Sequence, residues 1–131
     1  MYLQSYKDLI VWQKSIELVI KIYGVTDSFP KSELYGLVNQ MRRSSVSIPS
    51  NIAEGYNRKG LGEYIHFLSI AEASAAELET QVIISKKLYP TLDFTQADNL
   101  LCEVQKMLFC ISEKLKAKGG TKGTYTLYPK R

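Results

Sequence analysis

The most suggestive chemical spacing in the chain is Glu63-Tyr64-Ile65-His66. On a helix it sets a carboxylate and an imidazole one turn apart, as in bundles that hold metal ions. A di-iron bundle needs a second such pair and two further carboxylates, and His66 is the only histidine. One protomer therefore cannot complete that site, and His66 reads as an exposed or boundary residue. Ser-His-Asp and Cys-His catalysis would depend on the same side chain, with no accompanying motif. A helical nuclease of the Arg-x4-6-His type fails as well, because the nearest preceding arginine is Arg58. No Gly-rich phosphate loop follows a strand. These residues point to a chain without a catalytic centre, metal or cofactor.

Binding chemistry is better represented. Arg42-Arg43 has two readings, phosphate contact by guanidinium forks or ion pairing with a neighbouring helix. Glu77 and Glu79 are the carboxylates expected to pair in the second case. Adjacent helical residues diverge by about 100°, so one arginine is expected against a carboxylate and the other more exposed. Arg58 and Lys59 extend the same basic stretch. Asn51, Glu54 and Gly55 follow Pro49, where backbone groups freed from the helical ladder need partners; local capping and a binding pocket are both open. Trp12, Tyr35, Tyr64 and Phe67 sit at helical spacings that suit a core or a protomer interface more than base stacking. Near the C-terminus, Tyr125 and Tyr128 stand among Lys122, Lys130 and Arg131, an interleaving that suits single-stranded nucleic acid or a segment docking on a neighbouring subunit.

The 131 residues are 45% hydrophobic, enough for one domain with a core of its own. The net charge of +4 is unevenly placed. Lys118, Lys122, Lys130 and Arg131 account for all of it, since 17 Lys and Arg less these four leave 13 against 13 carboxylates. Arg42 to Lys59 is basic, and Glu63 to Glu79 is acidic. Cys102 and Cys110 lie roughly 12 Å apart along one helix, too far for a disulfide, and read as core or boundary residues in a reducing compartment. No signal or membrane-spanning stretch is visible at the N-terminus, so a cytoplasmic location is expected.

Four helical segments must position these groups. Leu9, Trp12, Ile16, Val19 and Tyr23 mark the buried face of a helix over about 8–25, capped by Asp8. Leu34, Leu37 or Val38, and Met41 mark a second over 31–57, starting at Pro30, with Glu33 at its positive end. A kink or brief break is expected near Pro49. Tyr64, Leu68, Ala71, Ala75, Leu78 and Val82 mark a third over 62–88, with small residues at its middle, stopped by Pro90. Phe94, Ala97, Leu101, Val104, Leu108, Ile111 and Leu115 mark a fourth over 93–117, with Asp93 and Gln96 as a capping box. Short loops between long helices predict an all-α, antiparallel up-down-up-down four-helix bundle over 1–117, followed by a basic tail over 118–131.

Several strings are more specific than a bundle requires: Asp8-Leu9-Ile10-Val11-Trp12-Gln13, Phe29-Pro30, Gln40-Met41-Arg42-Arg43, Ser47-Ile48-Pro49-Ser50-Asn51-Ile52-Ala53-Glu54-Gly55, and Glu77-Leu78-Glu79-Thr80. Over roughly residues 6–90 the chain resembles the four-helix-bundle family encoded in intervening sequences of bacterial 23S rRNA genes. That family includes the accessory variability determinant of diversity-generating retroelements. The chain departs from it at Ala73-Ser74, where many members have Gly-Ser. The resemblance implies a ring-like homo-oligomer, a pentamer, without known catalysis. In the retroelement branch it implies contact with a reverse transcriptase and with RNA or DNA. The expected function is a non-enzymatic, homo-oligomeric accessory protein that binds nucleic acid or a nucleoprotein; the rival is a purely protein-binding assembly module.

Overall fold

The structure is a computed structural model and describes residues 5–119. Four helices carry the fold: α1 (Ile10–Thr26), α2 (Asn39–Tyr56), α3 (Leu61–Leu88) and α4 (Thr95–Lys118). No strand occurs among the described residues. No described helix is long and apolar enough to cross a membrane.

Chain directions alternate. Met41 meets Ser85, Ser47 meets Ser74, and Gly55 meets Phe67, so α2 and α3 run opposed. Lys86 pairs with Asp98, and Glu79 accepts from Gln105, which opposes α3 and α4. Arg42 reaches Thr26 while Trp12 and Ala53 share one groove, so α1 and α2 are opposed as well. The result is an all-α four-helix bundle whose core includes the fully buried Leu18, Ile22, Met41, Ile48, Ile52, Leu68, Leu78 and Leu108. Burial of each such side chain contributes about 1.5–3 kcal/mol.

α3 and α4 bury the faces expected of them. Ser74 and Ala75 are buried on α3, whereas Ala73 lines a groove towards α4, away from the tight α2 contact. α1 does not bury its expected face. Its core residues are Val11, Ser15, Leu18, Ile22 and Thr26, one position away from the stripe of Trp12, Ile16, Val19 and Tyr23. Ser15 and Thr26 can be buried because their hydroxyls donate to Trp12 O at 2.7 Å and Ile22 O at 2.6 Å within the helix. Asp8 does not cap α1. It lies in a 3-10 turn (Tyr6–Asp8) that Ser5 caps by accepting from Lys7 N at 3.0 Å.

The expected second helix is divided. A 3-10 turn (Lys31–Glu33) and a π turn (Leu34–Val38) precede α2, and the backbone leaves helical geometry at Gly36. The brief break considered at Pro49 does not occur, since α2 runs from Asn39 to Tyr56 without interruption. Val38 is buried and Leu34 is exposed. Gly55 lies in the last turn of α2 and faces α3 at a distance no side chain would permit. Beyond Leu88, Phe29 packs edge-on against Tyr89 and Phe94, and the Tyr89 hydroxyl donates to the Glu33 carboxylate, tying two connections together.

That hydrogen bond raises the Tyr89 pKa above 10.0, and burial followed by the neighbouring Tyr56 raises that of Tyr64. Raised phenol pKa values mean stability present below pH 10 and lost as pH rises through the folded values. Asp93 moves the other way. Its carboxylate accepts from Thr95 N at 2.9 Å and is lowered below 3.8, so its contribution is lost as pH falls past that value. An absorbance titration should show Tyr64 and Tyr89 ionising above pH 10. Their replacement by Phe should flatten the alkaline loss of stability.

Candidate nucleic-acid interface

The two adjacent arginines separate as helical geometry requires. Arg42 turns to α1, where its Nε donates to Thr26 Oγ1 at 2.9 Å and a terminal nitrogen to Asp27 Oδ1 at 2.9 Å. Its guanidinium also lies 4.4 Å from the centre of the Tyr23 ring. These bonds fix the start of α2 to the end of α1, and Arg42 is not presented to a ligand. The expected partner was a carboxylate on α3; neither Glu77 nor Glu79 holds it, because Arg42 is turned to α1 instead. Replacing Arg42 with Gln should lower stability by about 1–2 kcal/mol, discounted for the exposure of Asp27. Urea denaturation reads that loss directly.

Arg43 is exposed and stands over a groove between α2 and α3, with Glu77 and Gln81 on the other wall. Among the described residues it is in no ion pair. Glu79 accepts from Gln105 Nε2 at 3.2 Å, linking α3 to α4. Asn51 makes local bonds: its Nδ2 donates to Ser47 O at 2.8 Å and to Ser47 Oγ at 2.9 Å. Ser47 Oγ in turn lies 2.8 Å from Ser74 Oγ, which makes Asn51 the outer member of a polar strap between α2 and α3. Glu54 pairs with Arg58 at 2.7 Å one turn on, and the Arg58 guanidinium lies 4.8 Å from the centre of the Phe67 ring.

Arg58 and Lys59 sit where α2 passes into α3, and Lys118 ends α4. A Cβ built on Gly119 would lie 3.2 Å from Leu61 Cδ2, so the end of α4 adjoins the start of α3. Arg58, Lys59 and Lys118 therefore share one end of the bundle, all solvent-accessible. Alternating helix directions bring two further cations to that end. Lys7 precedes α1 beside the C-terminal half of α2, and Lys114 lies in the last turns of α4. Neither was among the expected binding residues. The signal was present in the topology, which gathers the first residues of α1 and α3 with the last of α2 and α4. Carboxylates are present too, with Glu54 on Arg58 and Glu113 3.7 Å from Lys116. Lys122, Lys130 and Arg131 lie outside the described residues.

His66 is exposed, and among the described residues no three His, Cys, Asp or Glu side chains are placed to hold a metal ion. Cys102 and Cys110 are both exposed free thiols, which corrects the expectation that they lie in or at the core. Tyr35 is 89% exposed and thus in no protomer core, while Trp12 and Tyr64 are half-buried against it.

Residues 7–110 match the 23S rRNA-intervening sequence protein family. A crystal structure of a protein with unknown function from the S23 ribosomal protein family of Bacteroides thetaiotaomicron is similar to this chain. The TM-score is 0.70 at 24% identity, covering 79% of this chain and 98% of that one. At that identity the likeness speaks for the fold. No curated protein matches the chain.

Proposed function

The chain belongs to the 23S rRNA-intervening sequence protein family, and we propose that it is a non-enzymatic homo-oligomer that binds nucleic acid or a nucleoprotein. The observation that carries this reading is the gathering of Lys7, Arg58, Lys59, Lys114 and Lys118 at one end of the bundle. Lys122, Lys130 and Arg131 follow Lys118 in the chain and add to its charge. A few cations bind a phosphate backbone weakly and in a salt-dependent way. Several copies in a ring, such as the pentamer expected from kinship, raise the effective concentration of cations while each protomer keeps the same surface. A reverse transcriptase holding its own nucleic acid is one partner such a surface would suit. A cytoplasmic location belongs to the same proposal, and two exposed free thiols suit a reducing compartment. The test is binding of a labelled single-stranded RNA at low and high salt; absence of binding at low salt would remove the nucleic-acid reading.

Self-assembly has its own support. The stripe on α1 that does not face the core leaves Ile16 at 36% and Ile20 at 63% exposure, with Val46 of α2 at 41%. Trp12, Val19 and Pro49 line a shallow groove beside them. A face of this kind suits a second copy of the chain. Ile16→Asp with Ile20→Asp should leave helicity unchanged and reduce the mass in solution to that of a protomer, as read by sedimentation. The same face favours the rival reading, a purely protein-binding module. A partner retained at high salt, with no nucleic acid copurifying, would select it.

A further inference from the structure

The groove between α2 and α3 has a volume of about 400 Å³ and contains an acceptor without a donor. Gln81 is 8% exposed, and its Oε1 is buried with no hydrogen-bond partner among the described residues. Buried side-chain oxygens are nearly always bonded, so an orphan calls for a reason. It has no bond to lose on turning into the groove towards a ligand. Glu77, one turn earlier on α3, lines the same groove and provides a second acceptor on that wall. Across it stands the exposed Arg43 of α2, which forms no ion pair with a described residue.

Two acceptors on one wall and a guanidinium on the other define a ligand. It must offer adjacent N–H donors beside an acceptor. Among nucleobases, guanine has that edge, with N1–H and the N2 amine next to O6. Adenine, cytosine and uracil each carry a single donor group on the corresponding edge. The Glu77 carboxylate would repel a phosphate at the same place, which favours a base over the backbone.

We propose that this groove seats a guanine of single-stranded RNA. Glu77 and Gln81 Oε1 accept from N1–H and the N2 amine, and Arg43 donates to O6. The assignment rests on the nucleic-acid reading above. It adds a base preference to a charge interaction that carries none.

The full chain is titrated into two labelled 11-mers at low salt, a uridine tract with one central guanosine and the same tract with adenosine. The guanosine strand should bind about 5–100-fold more tightly. Gln81→Met should bring the two strands close together while leaving the adenosine strand unaffected, and Glu77→Gln should also shrink the ratio between them while raising binding of both through loss of its charge. Gln81→Met should melt no lower than the parent chain, so a lost preference cannot be ascribed to unfolding. Equal binding of both strands by the parent chain, unmoved by Gln81→Met, overturns the guanine assignment alone. If neither strand binds, the nucleic-acid reading and this inference fall together.

Discussion

Gly55→Ala should destabilise the bundle by about 1–3 kcal/mol, although alanine is the better helix former. A Cβ at this position would lie 2.8 Å from Phe67 Cβ, 3.1 Å from Tyr64 Cδ1 and 3.2 Å from Tyr64 O. The last is a backbone atom, so relief requires α3 to move away from α2. That separation would be felt at Ser47 and Ser74, whose hydroxyls are 2.8 Å apart, and at the small residues Ala71 and Ala75. Gly24 supplies the control. Nothing lies within 4 Å of its Cβ position, so Gly24→Ala should stabilise by up to about 1 kcal/mol through helix propensity and a less flexible unfolded chain. Opposite signs for one chemical change, measured by denaturant unfolding at fixed protomer concentration, would isolate the close α2–α3 approach as the cause. Equal signs would contradict it.

Neutralising Lys59, Lys118, Lys122, Lys130 and Arg131 together, each to Gln, should weaken single-stranded RNA binding at low salt by a factor of about 100 or more. The salt dependence should flatten by about 0.7 for each phosphate that is no longer neutralised. Each of these cations is removed from every copy in an assembly, so the effect exceeds that of a lone tail. Arg42→Gln serves as the internal comparison. Its charge is already committed to Thr26, Asp27 and the Tyr23 ring, so stability should fall while the salt slope remains. An equal loss of RNA binding from Arg42→Gln would mean that the basic end has been misplaced.

Much of the architecture is legible in the sequence. α3 and α4 carry apolar residues on one stripe each, and those stripes are the ones buried. The inward face of α1 differs from the expected one by about 100°, one residue of helical rotation, for a physical reason. The helix is apolar on two adjacent stripes, and its inward stripe contains Ser15 and Thr26. Their hydroxyls are satisfied by the helix itself, so polarity did not exclude them from the core. The part played by Gly55 depends on Tyr64 and Phe67, which local pattern does not place beside it. Arg42 and Arg43 were expected to differ, and they do. Which helix each would meet depended on packing angles that spacing alone does not supply. The cationic end was half visible: Arg58, Lys59 and Lys118 were candidates, whereas Lys7 and Lys114 join them only once alternating helix directions are traced through the whole bundle.

In the proposed function, assembly multiplies a basic bundle end into a nucleic-acid-binding surface. Sedimentation velocity of the full chain with a labelled single-stranded RNA at low salt tests it most directly. Protein is expected to migrate at several times the 14.9 kDa protomer mass, with RNA co-sedimenting and released as salt is raised. A species at the protomer mass, with all the RNA sedimenting free at low salt, would contradict it.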